Sequence, residues 1–296
     1  MGKPMPSENY ANIHVLAVDD DEINREIAAR YLTKKLGFVN SAEADDGSSA
    51  LAYMESHPDT DIIFLDRMMP MNGLEFFKRI KDNPAYADKI IILQTGKVLP
   101  DDLAEVVEAG IIHVLRKPYD DKRLAQFLYP LAEEVRVKRE LKKAVESGLA
   151  GVAPDKVHTL EEAQNAAPLL AKLAKEPAKV VDAIYQLLAN GLEHGVLGLS
   201  QETKAELHRE GNYRETIDAK LREAAKPVTI KTTNDNGDTK ITISDPGKGF
   251  NPTPHFTITP EKLLTPFGKH LLLAARIFKD VKYSDEGRAV TVGLPG

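Results

Sequence analysis

The chain contains no cysteine, which excludes disulfides, thiolate metal centres and thiol catalysis. It also has no run approaching the roughly 20 apolar residues that a membrane-spanning helix requires. The first ten residues carry Pro4, Pro6 and Glu8 rather than the apolar stretch of a secretion signal. Basic charge is not in excess: 39 Lys and Arg against 45 Asp and Glu leave a net charge of -6, so nothing global draws the chain to nucleic acid or to an anionic membrane. Its eight histidines are scattered, without the clustering that a transition metal needs. The expectation is a cytoplasmic protein with no nucleic-acid and no membrane partner.

What is present suits two globular domains: 296 residues, 42% of them hydrophobic and 28% charged. Between residues 13 and 130, short apolar runs alternate with amphipathic helical patterns, as a parallel sheet with crossover helices demands. Strands are predicted at 14–18, 39–44, 62–65, 89–94 and 112–115. A long helix over 121–147 carries Leu124, Leu128, Leu131 and Val135 three and four apart before a charged stretch. This pattern suits a signalling helix and a last domain helix with a solvated end equally well. Residues 148–157 read as a linker. Thr159 and Glu162 then form a capping box, and helices run to about 225. Two hairpins follow: 228–233 with 240–244 around Asn236-Gly237, and 281–284 with 289–292 around Glu286-Gly287. A helix over 267–278 lies between them, making the second domain α+β with a mainly antiparallel sheet.

Three features fall at predicted strand ends: Asp19, Asp20 and Asp21, then Asp66, then Lys117. Parallel strands bring such ends together. Clustered carboxylates call for a cation, and an all-oxygen set suits Mg²⁺. A phosphoryl group transferred to a carboxylate there would have its oxygens held by the metal and a lysine.

The sequences Val-Asp-Asp-Asp-Glu-Ile-Asn-Arg, Asp66-Arg-Met-Met-Pro70-Met-Asn-Gly73, Thr95-Gly and Lys117-Pro118 resemble the motif set of the receiver domains of two-component response regulators. The resemblance implies a flavodoxin-like, doubly wound, five-stranded α/β fold over 11–130. It makes Asp66 the phospho-acceptor, Asp20 a direct Mg²⁺ ligand and Asp19 a water-mediated one, with the Met68 carbonyl as the remaining ligand. Thr95 would hydrogen-bond the phosphoryl group, Lys117 would form the ion pair, and Pro118 would follow a cis bond. Its partners would be a sensor histidine kinase or a phosphotransfer protein. The sequence departs at Val114, where receivers usually place Tyr or Phe, with His113 beside it. Lys97, two residues beyond Thr95, is expected to border the path of water to the acyl phosphate.

In the second half, Gln186, Asn190 and Glu193 share one face of a helix whose other face is apolar. Together with Asp245-Pro-Gly247-Lys-Gly249-Phe250 and Phe-Gly268-Lys-His-Leu, they resemble GHKL ATPases, the anti-sigma serine kinase branch above all. The implied domain runs over 159–296, with 131–158 as signalling helix and linker. Asn190 would hold the Mg²⁺ of ATP, Asp245 would bond the adenine, Gly247 and Gly249 would shape the base pocket, and Gly268 would approach the phosphates. Two departures argue against kinase activity and leave ATP binding open. Gln186 replaces the Glu that serves as base, and His270 replaces the second Gly of the phosphate motif. No phospho-accepting histidine domain is visible, and no basic recognition helix supports a DNA-binding output. The expected function is a response regulator in a phosphorelay, whose degenerate GHKL-like output domain acts on a protein target, an anti-sigma pathway component among the options. A phosphorylation-controlled serine kinase is the alternative, and a homodimer is left open.

Overall fold

A computed structural model of the chain describes residues 10–86, 88–96, 100–235 and 238–295. The chain divides into two compact units. Unit 1 holds the residues up to Val135 together with a distant stretch, Ile258–Pro266, and unit 2 holds Arg136–Thr257 and Phe267–Gly296.

In unit 1 five strands, β1 (His14–Val18), β2 (Asn40–Ala44), β3 (Ile62–Asp66), β4 (Ile90–Thr95) and β5 (His113–Arg116), form a parallel sheet in the order β2-β1-β3-β4-β5. The helices α1 (Glu22–Arg30), α2 (Gly47–Ser56), α3 (Gly73–Ile80), α4 (Pro100–Ala109) and α5 (Asp121–Glu146) connect and follow them. A sheet covered on both faces needs apolar residues on both, and β3 is buried along its whole length. One core layer is built on Phe64, Ile92, Phe127 and Leu128, the other on Leu65, Leu93, Phe76 and Met54. Leu263, from the distant stretch and the short helix α10 (Pro260–Leu263), is wholly buried in the second layer.

Unit 2 carries the helices α6 (Leu160–Ala171), α7 (Pro177–Asn190), α8 (Gln201–Glu210), α9 (Tyr213–Ala224) and α11 (His270–Ile277). Its strands β6 (Lys156–Val157), β7 (Val228–Asp235), β8 (Asp238–Ser244), β9 (Asp280–Ser284) and β10 (Ala289–Gly293) form an antiparallel sheet in the order β6-β7-β8-β10-β9. The predicted hairpins are therefore present, although the Asn236-Gly237 turn lies outside the described residues. The stretch read as a linker ends in β6, which pairs with β7. Thr159 caps α6 by accepting from the Glu162 N–H at 3.1 Å, but the Glu162 carboxylate takes the His158 N–H, at 2.7 Å, rather than that of Thr159. The helix α5 contributes Leu124, Leu128 and Leu131 to the core of unit 1, and Val137 and Leu141 to that of unit 2. Among the described residues no helix is long and apolar enough to cross a membrane.

Candidate functional site

The carboxyl ends of β1 and β3 bring Asp19, Asp20 and Asp66 together, with one oxygen of each within 4.8 Å of the others. Asp19 and Asp66 are buried and Asp20 is exposed. Asp21 serves a different purpose: it caps α1, accepting from the Ile23 N–H at 2.8 Å and the Asn24 N–H at 3.2 Å. By anchoring α1 directly after β1, it fixes the strand end on which Asp19 sits. Asn24 Nδ2 and the Asp21 N–H donate to one Asp19 oxygen, at 3.3 and 3.1 Å.

The Lys117 ammonium, from the loop after β5, donates to both Asp19 and Asp66. Burial disfavours its charge, but hydrogen bonds and Coulombic attraction from the two carboxylates outweigh that and hold its pKa above the ordinary lysine value. The Lys117-Pro118 bond is cis, and the Lys117 N–H donates to the Thr95 carbonyl at 2.9 Å, tying this loop to the end of β4, where Thr95 is buried. The Asp66 carboxylate also accepts from the Met68 N–H at 2.6 Å. Three hard oxygen donors in one cluster, with a lysine to balance charge, fit Mg²⁺; Asp19, Asp20 and Asp66 are the side chains that would hold it.

The site has supports that the motifs alone do not reveal. Gly73 opens α3 with its N–H on the Arg67 carbonyl at 3.1 Å, and a Cβ there would lie 2.4 Å from the Asp66 carbonyl oxygen. Tyr119 donates to Gln94 Oε1 at 2.5 Å, and burial, with the nearby Asp19 and Asp66 charges, raises its pKa. Its place two residues after Lys117 was the available signal. Val114 is wholly buried, and His113 meets Phe127 edge-on at 6.2 Å, so His113 is a packing residue. Lys97 lies outside the described residues.

Unit 2 encloses a cavity of about 950 Å³. Asn190, Asp245, Gly247, Gly249 and Gly268, drawn from three separate stretches, all line it, as does His270 at the start of α11. Asp245 is half-buried, and desolvation raises its pKa against the opposing bond from the Gly247 N–H, at 2.9 Å. Close packing explains the glycines: a Cβ on Gly247 would fall 2.5 Å from the Gly195 carbonyl, and one on Gly249, at φ +76°, would fall 2.3 Å from the Glu286 carbonyl.

The expected Gln186, Asn190, Glu193 row does not survive as one face. Gln186 lies outside the lining, and Glu193 is buried, paired with Lys204 Nζ at 2.5 Å and accepting from the Tyr213 hydroxyl. After Asn190 the helix continues as a π-turn, Gly191–Val196, whose wider winding rotates residue 193 off the α-helical phase. Burial alone would raise the Glu193 pKa, yet Lys204 and Tyr213 hold it below the ordinary value.

The family profile "Response regulator receiver domain" matches residues 15–129. Stress response regulator protein 1 of Meyerozyma guilliermondii is 33% identical over 113 residues, 38% of this chain and 52% of that protein, so the match spans only about half of its length. The chemotaxis protein CheY of Pseudomonas aeruginosa is 30% identical over 122 residues, 41% of this chain and 97% of that protein. Among solved structures, chemotaxis protein CheY4 of Vibrio cholerae shares 31% identity over 38% of this chain and 92% of its own, with a TM-score of 0.36. With a relative covered almost from end to end and a receiver profile on unit 1, the chain belongs to the response regulator family.

Proposed function

We propose that Asp66 accepts a phosphoryl group from a sensor histidine kinase or phosphotransfer protein, and that the modified chain acts on a protein target through unit 2. The observation that carries this reading is the lysine bridge at the strand ends: Lys117 bound to both Asp19 and Asp66, with Asp20 within reach. An Asp66 oxygen attacks the phosphorus while the bond to the donor breaks. In this reading Lys117 and Thr95 would hold the transferred oxygens, and the Met68 carbonyl would be the remaining protein ligand of the cation. Incubation with a small phosphodonor and Mg²⁺ should add one phosphoryl group, seen by intact mass. The same gain in Asp66→Asn would overturn the assignment.

For unit 2 we infer a degenerate GHKL-like domain. The convergence of Asn190, Asp245, Gly247, Gly249 and Gly268 on one cavity supports the kinship, and Lys226 and Lys248 in its lining suit an anionic ligand. Turnover is a separate matter. Gln186 has no proton-accepting group at neutral pH and stands outside the lining, and general-base catalysis typically contributes roughly 10² to 10⁴-fold. His270 stands in the lining where backbone alone should meet phosphate. The expected outcome is no ATP hydrolysis and no serine phosphorylation. The serine-kinase alternative draws on the same convergence, and Mg²⁺-dependent hydrolysis that Asn190→Ala abolishes would establish it instead.

A further inference from the structure

The stretch Ile258–Pro266 interrupts unit 2 in sequence yet belongs to unit 1. Its anchor is Leu263, with no exposed surface, in the core layer that also holds Val106, Ala109, Ile111 and Val114. Ile258 and Leu264 pack against that layer, and Arg123 Nη2 donates to the Leu264 carbonyl at 2.8 Å. Thr259 caps α10, and the Leu263 N–H returns to the Thr259 carbonyl at 3.2 Å, so the stretch is ordered rather than draped. At each end the chain leads into the cavity wall of unit 2: His255 comes two residues before Thr257, and Phe267, Gly268 and His270 follow Pro266.

We propose that Ile258–Pro266 is a strap through which phosphorylation of Asp66 controls the ligand cavity of unit 2, the modified receiver holding the strap less tightly than the unmodified one. This rests on the reading of Asp66 as acceptor. Lys117 bridges Asp19 and Asp66 in the unmodified state, and a phosphoryl group on Asp66 adds negative oxygens that compete with Asp19 for the ammonium. Lys117 lies three residues after Val114, which shares the core layer of Leu263, and six before Arg123, whose N–H donates to the Asp120 carboxylate at 2.7 Å at the start of α5. Displacement of Lys117 therefore acts on both attachments of the strap. Because coupling free energies are reciprocal, a ligand that reshapes the Phe267–His270 wall alters the receiver in turn.

Amide hydrogen exchange on the full chain tests this, with beryllofluoride and Mg²⁺ as the phosphoryl probe. The expected result is exchange across 258–266 faster by about fivefold or more, the lower end of ordinary coupling, with altered exchange at 267–271, and neither change in Asp66→Asn. Without the probe, Arg123→Ala should reproduce part of the acceleration while the receiver strands stay protected. Leu263→Ser should accelerate 258–266 more strongly, with some loss of protection in the strands of the core layer it leaves. Protection around Asp66 on adding the probe, with 258–266 unmoved, would overturn the strap and leave the acceptor standing. No protection around Asp66 would overturn the acceptor reading, and the strap's control with it.

Discussion

A methyl group at residue 195 would lie 2.2 Å from the Asp245 carboxylate, and one at residue 73 would lie 2.4 Å from the Asp66 carbonyl oxygen. Neither clash can be relieved by rotating a distant side-chain end, because Asp245 is held by the Gly247 N–H and the other contact is backbone. Overpacking of this kind costs about 1–3 kcal/mol. Gly195→Ala should lower the unfolding free energy of unit 2 by that amount, read from its denaturant midpoint, and leave phosphoryl uptake at Asp66 unchanged. Gly73→Ala should slow that uptake as well as destabilise unit 1. A Gly195→Ala protein of unaltered stability would show that the approach of residue 195 to Asp245 is loose. At this scale the receiver residues were legible because their motifs are short, ordered and tied to strand ends. Glu193 was not, since an aligned face assumes 3.6 residues per turn and the π-turn at Gly191–Val196 breaks that phase. Residue type alone could not tell Asp21 from Asp19 and Asp20; the motif resemblance gave it no metal role, and its cap to Ile23 and Asn24 shows what it does instead.

Among the elements, α8 shows how a polar helix is fixed in place. Lys204 and His208, one turn apart, face inward: Lys204 meets Glu193 and lies over the rings of Tyr213 and Phe267, and His208 stacks on Tyr213 at 3.9 Å. Removing one member of a buried ion pair strands the other, at about 3–5 kcal/mol, so Lys204→Ala should destabilise unit 2 far more than a surface lysine would. His208 brings a pH dependence. Burial, with a smaller contribution from the Lys204 charge, holds its pKa well below 6.5, so the folded chain keeps it neutral while the unfolded chain protonates it. Its contribution is fully present above pH about 6.5 and is lost as pH falls, by up to about 1.4 kcal/mol per unit. His194, also shifted down by burial, adds to the slope. The stability of unit 2 should decline from pH 7 to pH 5, and His208→Phe should flatten that decline. An equal slope in the variant would remove His208 as its source. Strands were legible where burial on both faces produced apolar runs, as in β1 and β3, whereas the two residues of β6 are too few to show a period.

For the whole molecule, the lesson is that unit 1 is not a contiguous sequence. Reading the receiver as 11–130 follows from periodicity and motifs, both of which are local, and nothing local marks Leu263 as a core residue of a sheet that ended some 150 positions earlier. A chain truncated to residues 1–147 keeps all five strands and every carboxylate of the acidic site but lacks Ile258–Pro266. Loss of a buried leucine side chain costs about 2–5 kcal/mol where the site cannot collapse. The truncated receiver should therefore unfold at lower denaturant than unit 1 does within the full chain, and should bind an apolar dye. Cutting after 147 also bares Val137 and Leu141, which belong to the other core, so both need replacement by Ser for a fair comparison. Leu263→Ala in the full chain supplies the control, since it removes the same side chain while leaving α5 and unit 2 connected. If unit 1 in that variant keeps its stability, Leu263 fills space that the receiver closes by itself, and 11–130 was the whole domain after all. If the variant and the truncated chain weaken together, the receiver is completed by residues that reach it only after the chain has passed through most of unit 2.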